Sequence, residues 1–470
     1  MAGGKTSIRS LVRDTYKNMT LRSLYPSRYR AALRQDVVPG RVVFLEIRGK
    51  ELTDNFRMIR IALEKWNQRF SEENAVSSDP EDADPGGRDG GSGKFVWTMS
   101  VVCIREGMEN RGAVMKNCLA AIPQLAQAQF IFVNESSYFL SCLPIRPETT
   151  VIQTWHACGA FKKFGYSAVG TGFGTTREDL ESYPVHRNFS YVTVSAPEVV
   201  WAYAQAFHME DRVERILPIG VSRTDMFFSR KFREKAFGKT RWVLRRMAPE
   251  LFPAGDVYTD QVTERDGEGE GIYAGDSSRA PERTVLKGKK VLLYAPTFRG
   301  TVGRAMAPEA LDIPMMKRFL EGEYILLINH HPFIRAKDRP KIPGSCSGFA
   351  FDMTDRLSIE ELLTVADVCI TDYSSLIFEY SLFERPVVFF AYDMESYLDE
   401  RGFYYHPSEM MPGPVCRTTR EVVDMLSRED AAFDLARVRE FKYRFMSGCD
   451  GHATWRLMKL MERCMGKKDE

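Results

Sequence analysis

At 470 residues the chain is too long for one compact core, so two domains are expected. A hydrophobic fraction of 44% with 27% charged residues excludes the disordered, fibrous and collagen-like classes. Lys and Arg number 65 against 63 Asp and Glu; the formal net charge of +2 is too small for a general nucleic-acid binder, so nucleic acid is not expected as a partner and any anion site must be local.

Residues 1–36 carry eight basic side chains (Lys5, Arg9, Arg13, Lys17, Arg22, Arg28, Arg30 and Arg34) against Asp14 and Asp36. With Ser7 to Thr20 helical, Ile8, Leu11, Val12, Tyr16 and Met19 share a face and Arg9, Arg13 and Lys17 form a row beside it. Such a cationic amphipathic segment suits an anionic membrane surface, and it equally suits packing on the protein's own lobe. Met1 to Tyr16 lacks the continuous apolar stretch of a secretory signal, and no later segment reaches the ~18 apolar residues of a membrane span. Nine cysteines without a C-x-x-C pair point to reduced thiols rather than a disulfide framework or a zinc site, so a cytoplasmic protein is expected.

Past Pro39, the apolar runs RVVFLEI (41–47), FVWTMSVV (95–102), QFIFVN (129–134), VIQTWH (151–156) and YVTVSA (191–196) are separated by helical stretches such as 55–69 and 112–125. A second series follows in KKVLLYAP (289–296), EYILLINH (323–330), GFAF (348–351), DVCIT (367–371) and RPVVFF (385–390), with helices expected at 314–321, 358–365 and 375–383. Strand, helix, strand implies a parallel sheet, so the expected class is α/β with two Rossmann-like domains, residues 37–248 and 285–470. Residues 71–93 and 249–284 lack either periodicity and are expected to be mobile excursions.

Open α/β sheets bind ligands where strand ends and helix N-termini converge, and several polar clusters fall there. In VIQTWHACGAFKKFG (151–165), His156 ends a strand. An imidazole there can take a proton from an incoming hydroxyl or sit hydrogen-bonded in a turn, and Lys162 and Lys163 could offset phosphate charge. In ILLINHHPF (325–333), His330 and His331 point to opposite sides of an extended chain, so one of them is expected to meet a substrate. The segment 367–390 reads as strand, polar turn, helix and strand: Asp372 can cap the helix, and Ser374 and Ser375 lie in its first turn, where free N–H groups and the helix dipole favour phosphate. Glu379 would accept hydrogen bonds from a ribose or other hydroxyls, or remain a solvated charge. Thr297 and Arg299 in YAPTFRG, and Arg223 and Asp225 in PIGVSRTDMFF, can add phosphate contacts near an interdomain cleft. The signatures of P-loop NTPases, α/β-hydrolases and zinc proteases do not occur.

Taken in order, TWHACGAFKKFG, PIGVSRTDMFF, YAPTFRG, NHHPF, TDYSSLIFEYSLFERPVVFFAYDMESY, RGFYYHP and PGPV resemble the CDP-glycerol glycerophosphotransferase family, the teichoic acid primases and polymerases. The resemblance runs from about residue 40 to DGHATWRLMKLM (450–461). It implies a GT-B-like fold with an interdomain cleft between an acceptor-facing first lobe and a nucleotide-binding second lobe. It also implies transfer of glycerol phosphate from CDP-glycerol to a hydroxyl of a lipid-linked or polyol-phosphate acceptor, with release of CMP. No metal or cofactor is implied, and the setting is peripheral, on the inner face of the cell membrane.

The family's two essential histidines fall on His156, the better general base, and His331, with the roles open to exchange. Its donor contacts fall on Trp155, Ala157, Cys158, Gly159, Arg223, Pro296, Thr297, Asn329, His330, Ser374, Ser375 and Glu379. Ala157 and Cys158 depart from the family's Gly-Thr pair, and Glu379 stands where Asp is frequent, which leaves the polyol open. A CDP-ribitol-dependent ribitolphosphotransferase and a GT-B glycosyltransferase using a nucleotide sugar are the alternatives, and a thiolate nucleophile at Cys158 is a further reading.

Overall fold

The computed structural model describes residues 14–76, 95–171, 176–252, 285–286, 288–300, 304–308, 311–428 and 433–466. Its first sheet contains β1 (Arg41–Glu46), β2 (Thr98–Cys103), β3 (Phe130–Val133), β4 (Thr150–Gln153), β5 (Tyr191–Thr193) and β6 (Ile216–Leu217), in spatial order β2-β1-β3-β4-β5-β6. The second contains β7 (Lys290–Tyr294), β8 (Tyr324–Ile328), β9 (Ala350–Asp352), β10 (Val368–Thr371), β11 (Val387–Phe390) and β12 (Val415–Cys416), in order β12-β11-β10-β7-β8-β9. Every pairing is parallel. Helices cover both faces of such sheets, which is why β3 and β8 are buried at every position and read as unbroken apolar runs. The result is the α/β, GT-B-like plan of two Rossmann-like sheets.

Strand order reverses between β1 and β3 in one sheet and between β7 and β10 in the other. The crevices at these switch points, outside the strands' carboxyl ends, are where open sheets leave room for ligands.

Between Asp14 and Ala32 the chain is helical and packs on the first lobe through buried Leu21, Tyr25 and Tyr29. Lys17 pairs with Asp179 at 2.8 Å and lies 4.3 Å from the centre of the Tyr138 ring, so part of the cationic row serves this packing. Residues 1–13, which hold Ile8, Arg9, Leu11, Val12 and Arg13 of the expected membrane-facing helix, lie outside the described residues.

The helix Asp54–Val76 continues past Ser71, where an excursion was expected; Gln68 bonds Glu72 one turn on at 3.0 Å. Polar residues carry a helix as readily as apolar ones once tertiary packing anchors its start. The remainder of that excursion, and 253–284 of the second, lie outside the described residues. At its far end the chain returns to the first lobe. The helix Ala453–Gly466 buries Leu457, Met458, Leu460 and Met461 in the same cluster as Val42, Phe44 and Trp97, although a division at residue 285 would count it with the second lobe. Among the described residues no helix is long and apolar enough to cross a membrane.

Candidate active site

An open cavity of about 200 Å³ lies between the lobes. His156, Arg223 and Phe227 line it from the first lobe. Pro296 after β7, Asn329 and His331 after β8, and Ser374, Ser375 and Glu379 after β10 line it from the second.

Trp155 sets the direction of His156. Its φ of 56° is unusual for a bulky residue, and its N–H donates to Gln153 Oε1 at 2.8 Å, holding a sharp turn directly after β4. The indole lies 4.4 Å from the imidazole and stacks on Phe164 at 5.0 Å, a shelf behind the histidine. His156 Nδ1 is 3.2 Å from the carbonyl oxygen of Asn134, at the end of β3. A carbonyl only accepts, so Nδ1 carries the hydrogen and Nε2 keeps its lone pair. His156 is exposed along the cleft, although protein atoms surround the site on all other sides. Desolvation, joined by the charges of Arg223 and Arg48, outweighs the carbonyl and pushes the pKa down to about 4.

His331 has the opposite proton arrangement. Its Nδ1 accepts the N–H of Phe333 at 3.2 Å, which places the hydrogen of the neutral ring on Nε2. Phe298 and Phe333 hold the ring at 4.8 and 4.9 Å. His330 points away from the cavity and is buried, with its backbone N–H donating to Thr354 Oγ1 at 2.9 Å. Burial lowers its pKa. The alternation of an extended chain thus brings one histidine of the pair to the wall.

Arg223 ties the two lobes together. Nη1 donates to the His156 carbonyl at 2.8 Å and to Asn55 Oδ1 at 3.2 Å, while Nη2 pairs with Glu379 Oε1. Burial opposes the guanidinium charge, but Glu379 more than compensates and holds the group protonated. Arg223 Nε and Glu379 Oε2 are buried without a partner, so this pair keeps one donor and one acceptor. Glu379 is accordingly neither a solvated charge nor satisfied by protein alone.

Ser375 is the N-cap position of the short helix Leu376–Ser381, and Ser374 Oγ accepts the Leu376 N–H at 3.4 Å. Asp372 does not cap this helix. Its carboxylate accepts from Thr297 N–H at 2.9 Å, Thr297 Oγ1 at 2.8 Å and Arg299 Nη1 at 3.0 Å, which fastens the loop after β7 to the loop after β10. Thr297 and Arg299 therefore brace the cavity from behind, with Arg299 also on Asp393.

Other sequence candidates also lie behind the wall. Asp225 is a cap, accepting from Ala453 N–H at 3.1 Å and Thr454 N–H at 2.7 Å. Ala157 and Gly159 accept the Tyr203 hydroxyl through their carbonyls at 3.2 and 3.0 Å. Gly159, at φ 62°, leaves no room for a side chain: a Cβ would stand 2.2 Å from the Phe378 ring across the lobe boundary. The Cys158 sulfur is buried 3.9 Å from Arg223 Nη2, and burial pushes its pKa well above the ordinary thiol value. That favours the neutral thiol over the nucleophilic thiolate. Lys162 sits over the Tyr397 ring at 5.1 Å.

Phe227, Ile359, Glu360 and Leu363 also line the cavity and were not singled out from sequence. The one signal was Ser358 followed by Glu361, a capping box that fixes where the helix Ile359–Val365 begins.

The sequence matches the CDP-glycerol:poly(glycerophosphate) glycerophosphotransferase family over residues 27–244 and 274–463. The chain belongs to that family. Among curated proteins it is 34% identical over 355 residues to the teichoic acid ribitol-phosphate primase of Bacillus spizizenii, covering 75% of this chain and 79% of the primase. It is 24% identical over 376 residues to the teichoic acid glycerol-phosphate primase of Bacillus subtilis, covering 78% of this chain and 84% of that one. Against the teichoic acid poly(ribitol-phosphate) polymerase of B. spizizenii, 34% identical over 71% of this chain, it spans 46% of the length. The fold matches the solved wall teichoic acid polymerase TagF with a TM-score of 0.65 at 22% identity, over 100% of each chain. The family's teichoic acid primases and polymerases thus include both glycerol-phosphate and ribitol-phosphate enzymes.

Proposed function

We propose that this chain transfers a polyol phosphate from a CDP-polyol to a hydroxyl of a lipid-linked or polyol-phosphate acceptor, releasing CMP. The observation that carries the reading is the pair of imidazoles of opposite proton disposition on the wall of one cavity. His156 Nε2 takes the acceptor hydroxyl's proton as that oxygen bonds to the phosphorus bearing the polyol. The bond from this phosphorus to the oxygen bridging to CMP breaks, and the electron pair leaves with CMP. His331 Nε2–H donates to the departing phosphate oxygens. Arg223 supplies positive charge and the Ser374–Ser375 turn supplies hydrogen bonds to the diphosphate. A TagF crystal structure described as soaked with CDPG supports a cytidine diphosphate donor for this fold.

The family description names glycerol phosphate, and two poly(glycerol phosphate) polymerases are 35% and 37% identical over 149 residues. Over more than 70% of this chain, however, relatives named for ribitol phosphate reach 34% against 24% for a glycerol-phosphate primase, and this favours ribitol phosphate as the transferred unit. With a lipid-linked acceptor the enzyme would work as a peripheral protein at the inner membrane face. The test is CMP release from CDP-glycerol and CDP-ribitol with a membrane extract, alongside UDP release from UDP-sugars. CMP release that disappears in folded His156→Ala and His331→Ala proteins is expected. UDP release, or unchanged turnover in both variants, would remove the reading.

A further inference from the structure

Phe227, Ile359, Glu360 and Leu363 line the cavity but take no part in the transfer steps, and three of the four are apolar. Ile359 and Leu363 are one helical turn apart and share a face, with Glu360 beside them. The position of this turn is fixed twice. Ser358 and Glu361 exchange capping hydrogen bonds at 3.2 and 2.8 Å, and Glu361 pairs at 2.7 Å with Lys239 of the first-lobe helix Arg230–Met247. Of two adjacent glutamates, Glu361 is therefore committed to the frame and Glu360 is left on the cavity wall.

Arg223 and Asp54 are the charged groups that act on Glu360, and Arg223 is already paired with Glu379. Burial raises the Glu360 pKa, while hydrogen bonds from its own backbone and from the Ser358 hydroxyl oppose the rise. A carboxylate has room for about four hydrogen bonds, so acceptor capacity remains. Leaving it unmet beside an incoming diphosphate would be costly, which calls for a donor on the ligand.

A CDP-polyol offers two kinds of donor, polyol hydroxyls and the cytosine amine. A polyol laid on this patch would have its other hydroxyls desolvated against Phe227, Ile359 and Leu363 without partners, whereas a flat heterocycle covers apolar side chains at no such cost. We infer that Glu360 reads the nucleobase: its carboxylate accepts a hydrogen bond from the exocyclic amine of cytosine, with the ring lying on Ile359 and Leu363. At the same edge uracil presents a carbonyl oxygen, which repels a carboxylate. The inference rests on the CDP-polyol reading and names the residue that separates cytidine from uridine donors.

Calorimetric titration of the full chain with CDP and UDP tests it in wild type, Glu360→Gln and Glu360→Ala, with inorganic pyrophosphate and the melting temperature as checks on the rest of the site. Wild type should prefer CDP by about tenfold or more. Glu360→Gln, whose amide offers both a donor and an acceptor, should bring the ratio near one, and Glu360→Ala should weaken CDP more than UDP. A wild type without preference, or a preference unchanged in both variants, overturns the assignment. Equal weakening of both nucleotides, with pyrophosphate binding intact, overturns it as well. If the preference exists and collapses in Glu360→Gln but no acceptor yields CMP, the nucleobase assignment stands and the phosphotransfer reading falls.

Discussion

Replacing Arg223 by Met isolates the energetics of the contact that joins the lobes. The Arg223 and Glu379 side chains are 15% and 9% exposed, so the substitution strands a desolvated carboxylate instead of a solvated one. Breaking a buried pair in this way costs about 3–5 kcal/mol. Unfolding entropy is about 2.1 cal/mol/K per residue, so for 470 residues melting as one unit about 1 kcal/mol corresponds to 1 °C. The expected drop in Tm is therefore about 3–5 °C by differential scanning calorimetry at neutral pH. Adding Glu379→Gln removes the stranded charge, and Arg223→Met/Glu379→Gln should recover at least half of the loss. A double variant no more stable than Arg223→Met would show that charge compensation is not what the pair contributes.

Three further outcomes are expected. Since the His156 pKa is pushed down to about 4, its basic form persists well into acid, and kcat/KM should fall only as pH approaches 4; a break near 6.5 would contradict that environment. His186, 2% exposed with its ring 4.5 Å from Phe207, has its pKa pushed down by burial to about 3. The unfolded chain binds that proton first, so stability is lost as pH falls from about 6.5 toward 3, roughly 2 kcal/mol of it by pH 5. His186→Phe should accordingly gain on wild type by about that much between pH 7.5 and 5 in urea titrations; equal stability differences at the two pH values would refute this. Asp225→Ala removes the acceptor of two helix N–H groups and should destabilise by about 1–3 kcal/mol, with faster hydrogen exchange concentrated in 453–466.

The sheets were legible because parallel strands covered on both faces carry unbroken apolar runs, as in the VVFL of RVVFLE and in YILLI. Val415–Cys416 escaped notice, and the strand before Pro218 was expected without bounds, because two-residue edge strands carry no periodicity. His156, His331 and the Ser374–Ser375 turn were visible as polar residues immediately following apolar runs, and they line the cavity. Asp372 was misread. Local sequence makes Asp before a helix look like a cap, and its partners Thr297 and Arg299 lie more than seventy residues away. Glu360 was hidden for a related reason: a glutamate in the first turn of a helix is explained by the macrodipole until the fold shows what it faces.

The return of the chain to the first lobe through Ala453–Gly466 has a mechanical corollary. Polypeptide spans the gap between the lobes twice, so any swing that widens the mouth of the cavity must bend two connections rather than one. It also means that the second lobe cannot be excised as a contiguous tail: a fragment cut at residue 285 would carry an orphaned greasy helix and strip a cover from the sheet it left behind.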